Sequence, residues 1–118
     1  MWTDLPKVDK PWGYEITIFR DSNYWTKILT IYPGESLSLH YHENRDEYLK
    51  PYEGGLILTV NGATNIKMKP WFQYSLPANV IHRITNPQKH SISVVEVAVG
   101  SLETNDIIRI HDKYRRCE

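Results

Sequence analysis

The sequence predicts a single all-β domain, a barrel of the jelly-roll kind. Three observations predict it. Short segments that alternate apolar and polar residues, rich in β-branched and aromatic side chains, recur along the chain. Gly, Pro and Asn turns separate them at close, even intervals. Finally, 118 residues, 41% of them hydrophobic, can bury one core and leave no room for a second.

The elements follow in order. A strand is expected over 14–19, where Tyr14, Ile16 and Ile18 alternate with Glu15, Thr17 and Phe19. A second is expected over 25–32, punctuated by the turn Pro33-Gly34. Residues 37–42 alternate again, with Leu37, Leu39 and Tyr41 opposite Ser38, His40 and His42. Strands over 56–60 and 64–68 flank Asn61-Gly62, the strongest two-residue hairpin signal. Further strands are expected over 72–76, 81–85 and 91–99. Only the tail reads as a helix: Thr104-Asn105-Asp106 would cap a short one through Ile107, Ile108, Ile110 and Tyr114. With no repeat or linker, the expected organisation is one domain over 1–118, its barrel core at about 10–100.

Charge and cysteine narrow the function classes. Lys plus Arg number 14, as do Asp plus Glu, so no net charge drives the chain toward nucleic acid or anionic lipid. No apolar run approaches the ~20 residues that span a bilayer, and the first residues lack the apolar stretch of a signal peptide. A cytoplasmic protein with no nucleic-acid or membrane partner is expected. Cys117 stands alone, which excludes an internal disulfide and cysteine-based zinc frameworks.

Chemistry concentrates in the histidines. His40 and His42 lie two apart on an expected strand, so both rings face one side. Glu47 follows His42 by five residues, which an unbroken strand would place on the other face; a turn over Glu43-Asn44-Arg45-Asp46 would bring it back. His82, entering another strand after Pro77-Ala78-Asn79, can supply a third imidazole. Three imidazoles and a carboxylate suit Zn, Mn, Fe, Ni or Cu, with positions open for water or substrate. His90 and His111 lack such spacing and are expected at the surface.

The full spacing of Gly34, His40, His42, Glu47 and Gly54 resembles the first signature of the cupin superfamily. Pro77, His82 and Asn86 resemble the second, with Trp71 and Asn79 standing where that signature has glycine. A narrower resemblance is to the C-terminal cupin domain of type II mannose-6-phosphate isomerases, which belong to carbohydrate metabolism and polysaccharide biosynthesis. It rests on Lys10-Pro11-Trp12-Gly13, on Lys27 to Ile31 running into Pro33-Gly34, and on Arg45-Asp46-Glu47-Tyr48. Pro77 to Arg83, Val95-Glu96-Val97 and Asp106-Ile107-Ile108-Arg109 extend it, with Asp112 and Tyr114. The chain departs where His40 replaces a common glutamine, where Pro51 interrupts an apolar strand and should disturb pairing, and where Arg115 replaces a glycine.

The resemblance implies a jelly-roll barrel holding one divalent ion (Zn, Mn, Fe or Ni) on His40, His42, Glu47 and His82. It implies a sugar-phosphate substrate, aldose–ketose exchange between mannose 6-phosphate and fructose 6-phosphate, and a proton moved between C1 and C2. Lys27 is then the candidate base, and Arg45, Arg83 and Arg109 the candidate phosphate contacts. Two rivals stay open: a non-catalytic sugar-binding or regulatory cupin, and a metal-dependent oxygenase. A homodimer is expected, with Trp2, Trp12 or the early strand near its contact. No glycine-rich phosphate loop is visible, so nucleotidyl transfer is not expected of these 118 residues.

Overall fold

The computed structural model describes residues 5–102 and 106–111. Strands β1 (Lys7–Lys10), β2 (Gly13–Arg20), β3 (Tyr24–Ile31), β4 (Leu39–Tyr41), β5 (Arg45–Pro51) and β6 (Ile57–Val60) come first. Then follow β7 (Thr64–Lys67), β8 (Tyr74–Leu76), β9 (His82–Thr85), β10 (Ile92–Gly100) and β11 (Ile108–His111). They form a six-stranded sheet in the order β1-β2-β3-β10-β5-β8 and a five-stranded sheet in the order β11-β4-β9-β6-β7. The named strand pairings are antiparallel. Leu29, Ile31, Leu49 and Val94 from the larger sheet share one buried cluster with Leu58 and Ile84 from the smaller. The fold is the all-β double sheet that the alternating pattern predicts.

The expected helix is a strand. Ile108 and Arg109 pair with Tyr41 and His40 along the edge of β4. Ile107, Ile108 and Ile110 are β-branched, which stiffens their side chains and suits a pleated surface, and so short a segment gains little as an isolated helix. Asp106 does accept hydrogen bonds from backbone N–H groups, but those of Glu43 and Asn44 across the fold, at 3.0 and 2.6 Å. Thr104, Asn105 and Tyr114 lie outside the described residues, as do Trp2, Asp112, Arg115 and Cys117.

Pro51 disturbs less than expected. It is the last residue of β5, and its ladder with β10 continues to the pair Val94 and Pro51. Pairing with β8 stops earlier, at Leu49 and Tyr74. A proline at a strand end removes few ladder bonds, so the strand survives.

Inner faces change character along their length. On β3 they run Ile31, Leu29, Lys27, Trp25; on β10, Ile92, Val94, Glu96, Ala98; on β5, Pro51, Leu49, Glu47, Arg45. The registers align these changes, since Lys27 and Leu49 both face Glu96 across the ladder, and Trp25 and Glu47 both face Ala98. One end of the barrel is therefore apolar core and the other a polar cavity of about 400 Å³.

Candidate metal centre

His40 sits on β4 and His82 on the neighbouring β9, directly opposite each other in register. His42 follows β4 on the same inward face. After the bend at Glu43 and Asn44 the chain passes to the other sheet, and Glu47 points in from β5. The five-residue offset is resolved by that sheet switch. One ligand atom from each of the four buried residues lies within 4.8 Å of the others.

The histidines are held for coordination. His40 Nδ1 donates to the Ser38 carbonyl at 2.7 Å, His42 Nδ1 to that of Asp106 at 2.7 Å, and His82 Nδ1 to that of Val80 at 2.9 Å. These partners assign the tautomers and leave three Nε2 lone pairs facing inward. His42 Nε2 and His82 Nε2 lie 3.4 and 3.2 Å from Glu47 Oε1. Lone pairs that face a buried carboxylate this closely call for a cation or a proton between them. The donor set fits a divalent transition metal, and the convergence of these lone pairs is what the fit rests on.

The electrostatics agree. Burial, then the neighbouring His82 and His42 rings, lowers the His40 pKa to about 3, so that ring stays neutral. Burial works to raise Glu47, yet its close contacts with His42 and His82, then the charge of His42 and of Arg45, hold it well below the carboxylate range. For His82 burial acts downward, and the hydrogen bond and charge of Glu47 override it and raise the pKa. Without a metal, a proton fills part of the cation's role.

Around this cluster the cavity is lined by Lys27, Arg45 and Arg109 among the candidates from sequence. Arg45 Nη2 reaches Glu47 Oε2 at 3.2 Å and donates to His42 Nε2 at 3.1 Å. Lys27 Nζ contacts Glu15 Oε1 at 3.3 Å and lies 4.0 Å from the Trp25 ring centroid. Arg109 pairs with His40 across the ladder. Arg83 does not join them: it follows His82 on the same strand, so it leaves from the opposite face, and it does not line the cavity. Trp12 is buried in the core cluster, 4% exposed. His90 is an exposed partner of Glu53, and only the backbone of His111 is described.

Three groups were missed by sequence reasoning. Glu96 lines the cavity and accepts a hydrogen bond from Trp25 Nε1 at 2.9 Å. Burial, then the charge of Glu47, pushes its pKa up to about 7 against the pull of Arg45, Lys27 and Trp25. Arg20 stands at the cavity with its guanidinium 5.0 Å from the Trp25 centroid. Asp106 holds both the His42 ring and the bend that leads into β5. The segments around Glu96 and Asp106 were visible as a family pattern, whereas nothing local marked Arg20.

Residues 3–112 match the mannose-6-phosphate isomerase C-terminal family. The chain belongs to that family. It is 33% identical over 111 residues to the mannose-1-phosphate guanylyltransferase ManC of Salmonella typhimurium, covering 93% of this chain and 23% of that protein. It is 34% identical over 120 residues to the xanthan biosynthesis protein XanB of Xanthomonas campestris, covering 93% and 24%. The chain thus spans about a quarter of the length of these relatives.

Solved structures share the fold. The capsular polysaccharide assembling protein CapF of Staphylococcus aureus superposes with a TM-score of 0.80 at 12% identity, covering 92% of this chain and 34% of that one. A cupin-superfamily sugar phosphate isomerase from Silicibacter pomeroyi gives 0.70 at 20% identity, covering 84% and 73%. The chain is an all-β double-sheet domain of the mannose-6-phosphate isomerase C-terminal family, with a buried His/Glu group whose ligand atoms converge as a metal site requires. Among the described residues no helix is long and apolar enough to cross a membrane.

Proposed function

We propose that this cupin is a metal-dependent isomerase of a hexose phosphate, interconverting mannose 6-phosphate and fructose 6-phosphate. The observation that carries this reading is a convergent His/Glu cluster opening onto a cationic cavity in a neutral chain. Lys10, Arg20, Lys27, Arg45 and Arg109 line it against Glu15, Glu47 and Glu96. Five cations against three carboxylates favour an anionic guest, although the whole chain has no net charge.

A divalent ion on His40, His42, Glu47 and His82 would polarise the sugar carbonyl and offset the charge of an enediolate. Glu47 is engaged by that cluster and is a poor base. Lys27 makes the contacts an ammonium makes, an ion pair with Glu15 and a stack on Trp25. Glu96 suits proton transfer better: it faces the cavity, Trp25 Nε1 fixes its position, and its pKa of about 7 allows both states near neutrality. In this reading Glu96 takes the proton from C2 and returns it to C1, while Lys27 and Arg45 hold the anionic substrate.

The test uses protein loaded with Zn, Mn, Fe or Ni and given mannose 6-phosphate in deuterated water. Fructose 6-phosphate should form, with solvent deuterium entering at the carbon that receives the proton. Glu96→Gln should lower kcat by about 10²–10⁴-fold with its metal content kept. If metal-loaded protein binds the sugar phosphate and neither interconverts it nor exchanges its hydrogen, the non-catalytic sugar-binding reading replaces this one. No observation favours the oxygenase.

A further inference from the structure

Trp25 is 5% exposed, and three cations gather on its indole. Lys27 Nζ lies 4.0 Å from the ring centroid, Arg45 Cζ 4.5 Å and Arg20 Cζ 5.0 Å. Two of the three are largely withdrawn from water, with side chains 11% exposed for both Lys27 and Arg45. The indole accounts for part of the attraction, as cations favour an aromatic face. It does not account for three like charges at one ring, two of them where water screens poorly.

Three carboxylates stand near them: Glu15 and Glu47 pair directly with two of the cations, and Glu96 accepts a hydrogen bond from the indole itself. Lys27 meets Glu15 at 3.3 Å and Arg45 meets Glu47 at 3.2 Å. Arg20 differs: its partners among the described residues are the Leu102 carbonyl, 3.1 Å from Nη2, and the indole. Both are neutral. The carbonyl fixes the orientation of the guanidinium and takes up little of its five-donor fork. Arg20 is also exposed and lines the cavity, so the remaining donors of its fork face solvent there.

We infer that the Trp25 end of the cavity is a seat for a phosphate dianion, built by Arg20, Lys27 and Arg45. Arg45 connects this seat to the metal cluster, because the same guanidinium lies over Trp25 and meets Glu47 Oε2 at 3.2 Å. A substrate with its reacting carbons at the His/Glu cluster and a phosphate at its far end would span the two. This rests on the sugar-phosphate reading for the rest of the molecule, but the seat itself needs only a phosphate group. Arg83 has no part in it, since it leaves from the other face of β9.

The experiment titrates inorganic phosphate, mannose 6-phosphate and mannose into metal-loaded protein by calorimetry. Wild type should bind both phosphates. Arg20→Met, which keeps the aliphatic stem, should weaken both by roughly tenfold or more, the scale of a lost charge-assisted bond to phosphate. Its metal content should stay unchanged. Arg20→Lys should restore part of the affinity, and Arg83→Met should change nothing. Where turnover is seen, Arg20→Met should raise KM for the hexose phosphate with little effect on kcat.

Wild-type affinity in Arg20→Met, or no phosphate binding by wild type at millimolar concentration, overturns the seat. The two readings fail separately. Isomerisation with an unchanged KM in Arg20→Met removes the seat and leaves the activity. Phosphate binding that depends on Arg20, without isomerisation, supports the seat and removes the activity.

Discussion

His82 shows at the scale of one residue what the cavity is arranged to do. Its ring is fixed by the Val80 carbonyl, its Nε2 faces Glu47, and it stands opposite His40 in the ladder. His82→Ala should therefore strip most of the metal, because three donors hold far less tightly than four and a buried Glu47 loses a partner. Elemental analysis after dialysis checks this; wild-type metal content in the variant would refute the assignment. The four donors were legible in the sequence because two lie two residues apart on one face, and the other two fall at spacings that a known signature repeats. Glu96, Arg20 and Asp106 were not legible as functional groups. Each acts through a distant partner, Glu96 on Trp25, Arg20 on Leu102 and Asp106 on His42, and no short-range pattern records such a pairing.

Strands and turns were legible where alternation was strong, and illegible where charge or edge position masked it. Asn61-Gly62 makes the expected hairpin, with φ of 55° and 76°. The short β1 offers only Val8 as an apolar residue, and β5 opens on Arg45-Asp46-Glu47, so neither reads as a strand. The tail was read with the wrong period because isoleucines at 107, 108 and 110 satisfy a helical pattern as well as a sheet edge. Gly13 explains part of the Lys10-Pro11-Trp12-Gly13 motif, since a Cβ there would press into the Thr30 carbonyl. Trp71 and Asn79, which stand where the second cupin signature has glycine, keep left-handed backbones at φ of 58° and 71°. A left-handed conformation costs a side chain about 1–2 kcal/mol, whereas glycine is free of that penalty. Trp71 is 56% exposed, and its ring contact is Tyr52, at 5.0 Å. Trp71→Gly should thus be more stable than Trp71→Ala by about 1 kcal/mol, the reverse of the usual order. Urea unfolding of the two variants measures this, and alanine ranking first would show that the left-handed turn is not held in solution.

For the molecule as a whole, the polar end of the barrel makes stability depend on pH in opposing ways. In metal-free protein, Glu96 has its pKa raised from 4.5 to about 7 by burial and then by Glu47, so the folded state binds its proton more tightly. Its contribution to stability is complete below about 4.5 and is lost as pH rises toward 7. His40 acts the other way: with its pKa lowered from 6.5 to about 3, folding disfavours its proton, and stability is lost as pH falls through that range. Glu47, held below its ordinary value of 4.5, contributes fully above it and loses that contribution at more acid pH. His82, with a raised pKa, favours folding below 6.5 and loses that advantage as pH rises through the folded value. Between about pH 4.5 and 6.5, Glu96 and His40 oppose each other, and wild-type stability should vary little. Glu96→Gln removes one side of that balance and keeps an oxygen to accept from Trp25 Nε1. Relative to wild type, the variant should gain stability as pH rises from about 4.5 to 7, by at most about 1.4 kcal/mol per pH unit for one proton. Denaturant midpoints of both metal-free proteins across this interval provide the measurement. Parallel curves would mean that Glu96 titrates as it does in the unfolded chain, and its role as the proton carrier would lose its electrostatic basis.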